Sequence, residues 1–342
     1  MHVRPDFRSD RPEVVDESVD VVGEILDAAH LATAVFGRLD LGAPYQLRIP
    51  ARAYLSFYVV ARGGGWIEIA RPAGEESASG EPRLHPLSAG DAILLPHGTA
   101  HTLKDAERAM ARGDDLDYLA CRRPWFGESA RFGGDGPVTT LVTGHFTFSG
   151  SASRNPLLGT LPLVIHLPAD AIAASPQLSG VVPLILSESA RPGPGANVVL
   201  ARLADLLLIH ALRYWIATAG TEECGLHAVA DPTIGAALRL IHARAAEPWT
   251  VESLASAVAM SRSAFAARFA KLVGEPPLQY LTRWRMTTAA RLLGSGAMSI
   301  PAVAEHVGYS SPIAFSKAFT RFTGVGPGAY RRANRPRPAQ AG

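Results

Sequence analysis

The chain has 342 residues, of which 47% are hydrophobic, and its formal net charge is +2. A chain of this length and composition can bury substantial cores, and its length favours two domains over one compact domain. Residues 1–20 lack the apolar core of a signal peptide, so we expect a disordered N-terminus instead. The longest apolar stretch, residues 198–217, is interrupted by charged side chains, which argues against a membrane span.

Only two cysteines are present, Cys121 and Cys224. This number excludes a disulfide framework and is typical of a reducing compartment, so a cytoplasmic protein is expected.

The charge is divided unevenly along the chain. After Pro232 there are 14 Arg and Lys residues against 4 Asp and Glu, whereas the preceding part has 19 against 27. The C-terminal part therefore carries about +10 and the rest about −8. A basic domain of this size favours nucleic-acid phosphates as its partner, with a membrane surface as the weaker alternative.

Residues 21–175 show the pattern of a β-rich domain. Short apolar runs at 54–60, 66–70, 92–95 and 138–142 are separated by Gly- and Pro-rich turns at 61–65, 72–82 and 132–137. Strands at this spacing favour a β-sandwich or a small barrel.

Residues 176–232 are expected to form a helical linker. Residues 197–218 carry a helical apolar face, and Gly- or Pro-containing connections flank them at 190–195 and 220–231. The helix either packs on its own β-domain or forms a dimer contact, and the pattern does not decide between them. The residues of this face are Leu203, Leu206, Leu207, His210 and Tyr214.

An internal repeat organises residues 233–332. Ten positions of the first copy recur 49 residues later, or 50 residues later beyond the turn serines, which implies one inserted residue. The first copy has Leu254, Ala255, Val258, Met260, Ser261, Phe265, Phe269, Gly274, Pro277 and Tyr280; the second has Val303, Ala304, Val307, Tyr309, Ser310, Phe315, Phe319, Gly324, Pro327 and Tyr330.

Each copy predicts a helix-turn-helix unit. First helices at 251–259 and 300–307, capped by Thr250 and Ser299, precede a tight turn that ends in a capping serine, Ser261 or Ser310. No capping box is expected. Residues 278–293 lack Gly and Pro and predict one long connecting helix. Two recognition helices about 34 Å apart can enter successive major grooves of DNA.

Residues 233–332 resemble the DNA-binding domain of the AraC/XylS family. The resemblance covers the whole domain and rests on the segments PWTVESLASAVAMSRSAFAARFAKLVGEPPLQYLTRWRMTTAARLL and SIPAVAEHVGYSSPIAFSKAFTRFTGVGPGAYRR. It implies a regulator, typically an activator, whose partners are double-stranded operator DNA and RNA polymerase. The base-reading positions that it implies are Arg262, Ser263, Ala266 and Ala267 in the first recognition helix and Pro312, Ile313, Ser316 and Lys317 in the second.

Two of these positions depart from the family pattern. Ala266 and Ala267 replace long polar side chains, so hydrogen-bonded readout by the first helix is in doubt, although alanine can contact a thymine methyl. Basic side chains lie near these helices in the sequence. Each one alone is equally consistent with ordinary solvated surface, but together they predict contacts with DNA phosphates. The phosphate candidates are Ser261, Arg268, Lys271, Arg283, Arg285, Ser311, Arg321 and Arg331, with Arg332 beside them. Residues 333–342 are expected to be a disordered tail.

The β-domain resembles a cupin sensor. The second cupin motif, Gly-x5-Pro-x-Gly-x2-His-x3-Asn, is matched by Gly90, Pro96, Gly98, His101 and Asp105, with Asp in place of the final Asn. In metal-dependent cupins the histidine joins two further His and a Glu of the first motif, and these partners are absent here. We therefore expect no metal, no cofactor and no catalytic residue.

A small-molecule effector is expected inside the β-domain instead. Such pockets are mostly apolar with a few orienting polar groups. The alternative for half or more of the aromatic residues is a place in the core. The sequence does not decide whether His97, His101 and His145 lie close together in space. Separate hydrogen-bonded roles for the three are favoured. The candidate residues are Tyr54, Tyr58, Trp66, His97, His101 and His145.

The fold class expected overall is a two-domain α+β protein, with a cupin-like β-barrel, a linker helix, and an all-α domain carrying two helix-turn-helix motifs. The function it favours is an effector-responsive, homodimeric DNA-binding regulator. Two alternatives remain: a cupin metal enzyme fused to a DNA-binding domain, and an architectural DNA-binding protein without an effector.

Overall fold

The computed structural model describes residues 20–28, 31–52, 54–70, 83–107, 114–115, 129–148, 161–218 and 227–334. The chain divides into two compact units. One comprises residues 31–149 and 161–223, and is called the sheet unit; the other comprises residues 1–30, 150–160 and 224–342, and is called the helical unit. The two cysteines, most of the predicted N-terminal segment (1–19) and most of the predicted tail (335–342) lie outside the described residues.

The described strands of the sheet unit form two sheets. One has six strands in the order β11-β6-β3-β10-β1-β9, and the other has five in the order β5-β4-β7-β2-β8. Neighbours are antiparallel except for the pairs β1 with β9 and β2 with β8. The strands are β1 Leu31–Gly42, β2 Gln46–Ile49, β3 Leu55–Arg62, β4 Gly64–Ile69, β5 Arg83–Ser88, β6 Ala92–Leu95, β7 His101–Lys104, β8 Asp114–Asp115, β9 Ser129–Gly133, β10 Val138–Phe148 and β11 Ile165–Leu167.

The core of this unit lies between the two sheets. In the strands that contribute to this core, alternate residues face it, as expected for a period of two, and the four predicted apolar runs all fall on such strands. The sequence therefore predicted the β-rich character correctly. The buried cluster contains Leu39, Leu41, Tyr58, Val60, Ile93, Leu95 and Leu141 from the first sheet, Leu47, Ile49, Ile67, Ile69, Leu87 and Leu103 from the second, and Tyr45 immediately before β2.

The glycine of the cupin-like turn has a steric explanation. Gly98 has φ +59°, and a Cβ atom there would lie 2.2 Å from the carbonyl oxygen of Arg52 and 2.3 Å from that of Tyr54. Both the backbone angle and the close approach exclude a side chain. This turn therefore fixes where β7, with His101 at its start, enters the second sheet.

The described residues of the sheet unit also form three helices: α2 Ala169–Ala174, α3 Pro176–Ala190 and α4 Ala196–Thr218. Helices α3 and α4 pack on each other, and both contact strands of the six-stranded sheet. Of the two alternatives for the linker helix, packing on its own β-domain is therefore observed. The predicted helical face needs one correction, because Leu206 is 43% exposed whereas Leu203 and Leu207 are buried.

The other described helices belong to the helical unit. These are α1 Val21–Ala28, α5 His227–Ala230, α6 Pro232–Ala243, α7 Val251–Ala257, α8 Arg262–Val273, α9 Pro277–Ser295, α10 Ile300–His306, α11 Pro312–Thr323 and α12 Pro327–Asn334. Helices α7 and α8 form the first helix-turn-helix unit, and α10 and α11 form the second. The single long helix predicted between the copies is confirmed as α9. Among the described residues, no helix combines the length and the apolar character that crossing a bilayer requires.

The helix caps correct two expectations. The second recognition helix is capped by Ser311, whose side chain accepts from Ala314 N–H, and not by Ser310, because the inserted residue precedes the cap. A capping box is present at α7: Thr250 accepts from the Ser253 N–H, and the Ser253 hydroxyl oxygen accepts from the Thr250 N–H. A serine at the third helical position thus replaces the usual Glu or Gln.

The two turns share an unusual backbone conformation. Ala259 in the first turn has φ +56°, and its repeat counterpart Gly308 in the second has φ +80°. A Cβ atom on Gly308 would lie 2.3 Å from the carbonyl oxygen of Ala246, whereas Gly324, with φ +83°, has open space around it. Both glycines need the left-handed region, but only Gly308 also lacks room for a side chain.

This difference predicts unequal costs of two matched substitutions. Each of Gly308→Ala and Gly324→Ala should lose about 1–2 kcal/mol of stability from the left-handed backbone. Gly308→Ala should lose about 1–3 kcal/mol more because the methyl group collides with backbone. Thermal melts of the helical circular dichroism signal measure both. Equal losses would show that the Ala246 contact places no constraint on the turn.

Candidate nucleic-acid interface and sensor interior

Each recognition helix has one buried aromatic face. Phe265 and Phe269 on α8, and Phe315 and Phe319 on α11, are fully buried. Residues four apart share one side of a helix, so these pairs hold that side against α9 and its neighbours. The opposite side of each helix is directed to solvent as a result.

The first recognition helix presents a short-chain surface. Arg262, Ser263 and Ala267 are exposed, and Ala266 is half-buried. The Arg262 Nε atom lies 2.7 Å from the Glu252 Oε1 atom of α7, and both side chains are well exposed. Glu252, which the sequence reasoning missed, thus holds the only long side chain among the four predicted base-reading residues of α8. The sequence feature that could have indicated this role is the position of Glu252, an acidic residue in the first turn of α7.

The second recognition helix presents a more varied surface. Pro312, Ile313 and Lys317 are exposed, and Ser316 is half-buried. Ile313 has 71% of its surface accessible, which is unusual for a large aliphatic side chain. An exposed isoleucine beside a lysine offers both an apolar contact and a cationic donor.

One predicted phosphate-binding arginine is held by a carboxylate at the end of another helix. Arg268 of α8 donates to Asp231 at 2.6 Å, and Asp231 also caps α6 by accepting from the backbone N–H groups of Thr233 and Ile234. Burial raises the pKa of Asp231, but the hydrogen bonds from Arg268 and Ile234 lower it below its ordinary value. The ion pair therefore connects α6 to α8 over a wide pH range.

Three further arginines of the predicted phosphate set bond within the helical unit. Arg283 donates to the buried Glu275 at 2.6 Å. Arg285 donates to the carbonyl oxygens of residues 245 and 247, and Arg331 donates to that of Met298. The bonds of Arg285 hold the segment before α7 against α9, and the bond of Arg331 holds the segment before α10 against α12.

The remaining phosphate candidates lie at the surface. Lys271, Arg321 and Arg332 are exposed. Within the part of the chain that the structure describes, no ion pair joins Lys271 or Arg321 to a carboxylate. Ser261 and Ser311 cap α8 and α11, so their hydroxyl groups already accept a backbone N–H.

The interior of the sheet unit is polar at one end. On the inner face of the six-stranded sheet, Val60 pairs with Leu141, Tyr58 with Thr143, and Ser56 with His145. Ser56, Thr143 and His145 are all buried. Ser56 and Thr143 were missed because single polar residues in apolar strands carry little signal until the facing strand is known. We call Tyr54, Ser56, Tyr58, His101, Thr143 and His145 the polar end of the interior.

The cupin-motif histidine is fully satisfied by protein groups. Its Nε2 atom lies 2.7 Å from the Tyr58 hydroxyl oxygen and its Nδ1 atom 2.7 Å from the carbonyl oxygen of Thr99. Burial lowers the pKa of His101 to about 4, so the ring is neutral at pH 7. A neutral ring that donates from Nδ1 to the carbonyl accepts the Tyr58 O–H at Nε2. The ring thus acts as a fixed brace between the two sheets.

His145 differs from His101 in its hydrogen bonding. Its ring stacks on Tyr54 at 4.3 Å, burial lowers its pKa, and its buried Nδ1 atom has no hydrogen-bond partner among the described residues. A buried polar atom in this state costs about 1–3 kcal/mol, which a bound group can recover. This atom is the clearest ligand-facing feature of the interior.

Two predicted pocket residues are placed elsewhere. Trp66 lies on the face of β4 opposite to the core residues Ile67 and Ile69. His97 is exposed, and its Nε2 atom donates to the Leu161 carbonyl oxygen at 2.7 Å. Of the three histidines, His101 and His145 thus face the interior and His97 does not. The described residues contain no group of three or more His, Cys, Asp and Glu side chains able to hold a metal ion.

The two units match two known families. The family described as "Cupin" matches residues 20–217, more than half of the chain. The family described as "Helix-turn-helix domain" matches residues 254–333.

Known proteins resemble the chain over nearly its whole length. A "Putative AraC-like transcription regulator" of Streptomyces antibioticus is 33% identical over 320 residues, which are 93% of this chain and 99% of that protein. The HTH-type transcriptional regulator AlkR of Acinetobacter baylyi is 29% identical over 317 residues, which are 92% of this chain and 99% of that protein. Among solved structures, the DNA-binding domain of AdpA in complex with a target DNA is 37% identical and covers 32% of this chain and 98% of that chain, with a TM-score of 0.30. Because the match to the Streptomyces protein extends over almost all of both chains, and a cupin family match covers more than half of this one, the protein belongs to the AraC-like transcription regulators and carries an N-terminal cupin domain.

Proposed function

We propose that the protein binds double-stranded operator DNA at two subsites, one read by α8 and one by α11. The observation that carries the proposal is the paired arrangement of the recognition helices. Each buries its two phenylalanines and presents the opposite side, with a capped N-terminus, to solvent. Major grooves admit a helix in this way, and sequence is read by the side chains on the outward face.

The two helices contribute unequally to base readout. On α8, Arg262 is the long polar side chain, because Ala266 and Ala267 offer only methyl groups. On α11, Ile313 and Lys317 combine a methyl-rich surface with a donor. We therefore infer that α11 discriminates more strongly among bases, with thymine methyl groups opposite Ile313.

Phosphate contacts come from the exposed cations. Lys271 and Arg321 have their charges available at the surface, whereas Arg283, Arg285 and Arg331 serve bonds within the helical unit. Such contacts supply affinity that depends on salt and carry little sequence information. Arg268 can contact a phosphate only if its hydrogen bond to Asp231 is broken.

The first prediction contrasts a base contact with a phosphate contact. Lys317→Ala should cost about 1–3 kcal/mol on a specific fragment and little on random DNA, because a base contact is lost. Arg321→Ala should weaken binding to the specific fragment and to random DNA equally. It should also reduce the slope of log affinity against log salt concentration by about one. Fragments are first selected from genomic DNA by pulldown and sequencing, and dissociation constants are then measured at several fixed salt concentrations.

Two results would contradict this proposal. If all selected fragments bind alike and only salt governs enrichment, the protein is architectural. If Lys317→Ala and Arg321→Ala lose the same factor on specific and random DNA, the assignment of Lys317 to base readout is wrong, while DNA binding itself stands.

The cupin domain binds a small effector at the polar end of its interior. The described groups there are hydroxyls and imidazoles that stay neutral near pH 7, and the Arg52 guanidinium lies close enough to Tyr54 to oppose the rise that burial causes in its pKa, so a polar effector fits best. The effector offers a hydrogen-bond donor or acceptor to the Nδ1 atom of His145. Effector and operator must change each other's affinity by the same factor, since coupling is reciprocal.

A thermal-shift screen of small polar compounds tests this site. A compound that stabilises the wild-type protein should lose its effect in His145→Leu, because the only unpartnered ring nitrogen described there is removed. It should keep its effect in Trp66→Leu, since Trp66 lies on the outer face of β4. A compound that stabilises His145→Leu as well as the wild type would place the effector elsewhere.

The protein acts in the cytoplasm, where the operator lies, as a homodimer that recruits RNA polymerase to activate transcription. Support for the dimer comes from exposed apolar side chains on α3 and α4, namely Leu184, Val198, Val199 and Leu206. Exposed aliphatic patches on helices are typical of association surfaces.

The oligomeric state tests this surface directly. Leu206→Glu should convert a dimer to a monomer in light scattering, because the change buries a charge at the contact. Ala89→Glu, at an exposed turn position outside α3 and α4, serves as the control and should leave the dimer unchanged. A dimer that survives Leu206→Glu would exclude α4 from the interface.

A further inference from the structure

A fully buried histidine lies at the centre of the helical unit. The side chain of His242, on α6, has no exposed surface. Its Nδ1 atom lies 2.8 Å from Glu24 Oε2 and its Nε2 atom 2.7 Å from the Tyr280 hydroxyl oxygen. The ring stacks on Trp284 at 3.9 Å. Every polar atom of this ring therefore has a partner.

The partners determine the direction of both hydrogen bonds. Burial lowers the pKa of His242, an effect that the hydrogen bond and charge of Glu24 only partly oppose, and burial raises the pKa of Tyr280 well above its ordinary value. The ring is neutral and the phenol keeps its proton. A carboxylate can only accept, so Nδ1–H donates to Glu24 and Tyr280 O–H donates to Nε2. Glu24 is thus the acceptor for a buried N–H group.

These contacts continue to the first recognition helix. The Tyr280 ring meets the edge of Phe269 at 5.8 Å, and Phe269 is part of the buried face of α8. At its other end, α6 begins at Asp231, which accepts from Arg268 of α8 at 2.6 Å. Helix α6 is therefore linked to α8 near both of its ends, and its placement bears on the placement of α8.

Glu24 reaches this cluster from the far end of the chain. It lies on α1, which is separated from His242 by 218 residues. The side chain of Asp20 accepts from the Gly23 N–H, Val21 is buried, and α1 contacts α6 and α9. The cupin family match begins at residue 20 and the helix-turn-helix match at residue 254, so neither links α1 to DNA binding.

We propose that Glu24 is a positioning residue for DNA recognition, which holds α8 through His242 and Tyr280 and makes α1 a working part of the DNA-binding unit. The inference rests on the proposed binding of α8 to one operator subsite. Without the Glu24 acceptor, a buried N–H is left unpaired, and the ring and α6 shift to regain a partner. Helix α11 sits on a separate aromatic core and does not share these contacts.

The test uses three variants of the full-length protein. Glu24→Leu removes the acceptor, Glu24→Gln keeps an accepting oxygen without the charge, and Glu305→Leu is the charge-matched control. Glu305 is an exposed carboxylate of α10 that lines the same cavity of about 550 Å³ as Glu24 and His242 but does not bond the ring. Operator affinity at fixed salt and the DNase I footprint of a genomic fragment protected at two subsites by the wild type are compared.

We expect Glu24→Leu to bind the operator at least tenfold more weakly and to lose protection of the α8 subsite while keeping that of α11. Glu24→Gln and Glu305→Leu should stay within about threefold of the wild type and protect both subsites. Protection of both subsites by Glu24→Leu would overturn the proposal. Equal loss at both subsites, without rescue by Glu24→Gln, would also overturn it, because Glu24 would then support folding alone.

A second measurement does not depend on DNA. In protein labelled with 15N-histidine, the Nδ1–H proton of His242 should give a slowly exchanging signal that Glu24→Leu loses and Glu24→Gln keeps. If this signal behaves as expected but the wild type protects no fragment, the docking of α1 stands and the proposed DNA function fails. If the signal is unaffected by Glu24→Leu, the contact itself is refuted.

Discussion

Burial of two phenylalanines on one side of each recognition helix is the constraint on which the DNA-binding unit depends. Each ring contributes about 1.5–3 kcal/mol when it leaves water, so neither helix can rotate without a large loss. Phe265 and Phe269 hold α8, and Phe315 and Phe319 hold α11. With one side fixed inward, the identity of the outward residues follows from helix geometry.

Charge pairing adds a second level of order to this frame. The C-terminal part carries few carboxylates, and three of the four are bonded to arginines: Glu247 to Arg244, Glu252 to Arg262 and Glu275 to Arg283. The first pair is local, whereas the other two join neighbouring elements of the fold. Part of the positive charge that remains, including Lys271 and Arg321, is at the surface, where it can meet phosphates. A basic composition thus serves both internal structure and attraction to DNA.

The cupin domain shows how a fold can keep its architecture while its chemistry changes. The glycine and the histidine of the second motif are both present, and steric crowding at Gly98 explains the first. Both ring nitrogens of His101, however, are hydrogen-bonded to protein groups, one to the Tyr58 hydroxyl and the other to the Thr99 carbonyl. The interior instead leaves the Nδ1 atom of His145 without a hydrogen-bond partner among the described residues, and the neighbouring hydroxyl groups make that end suited to a polar contact.

Local patterns in the sequence determined much of this protein. The 49-residue repeat, its capping residues and its phenylalanine spacing fix two helix-turn-helix units, because these features act within a few turns of helix. Alternating apolar runs likewise fix the strands. The one-residue insertion was visible, but its exact place was not, so the cap fell on Ser311 instead of Ser310. Helix α3 carries Gly180 and Pro183, residues that weaken a helical signal, and it is stabilised by packing on α4.

Only the tertiary structure decided which side chains meet. Trp66 and Tyr54 are both aromatic residues of the β-domain, yet pairing of the strands directs one outward and stacks the other on His145. Several arginines that composition assigns to phosphates are held by carboxylates or carbonyl groups distant in sequence. The contact of Glu24 with His242 spans 218 residues. No local pattern encodes such a pair, because its stability depends on burial that exists only after the whole unit has folded.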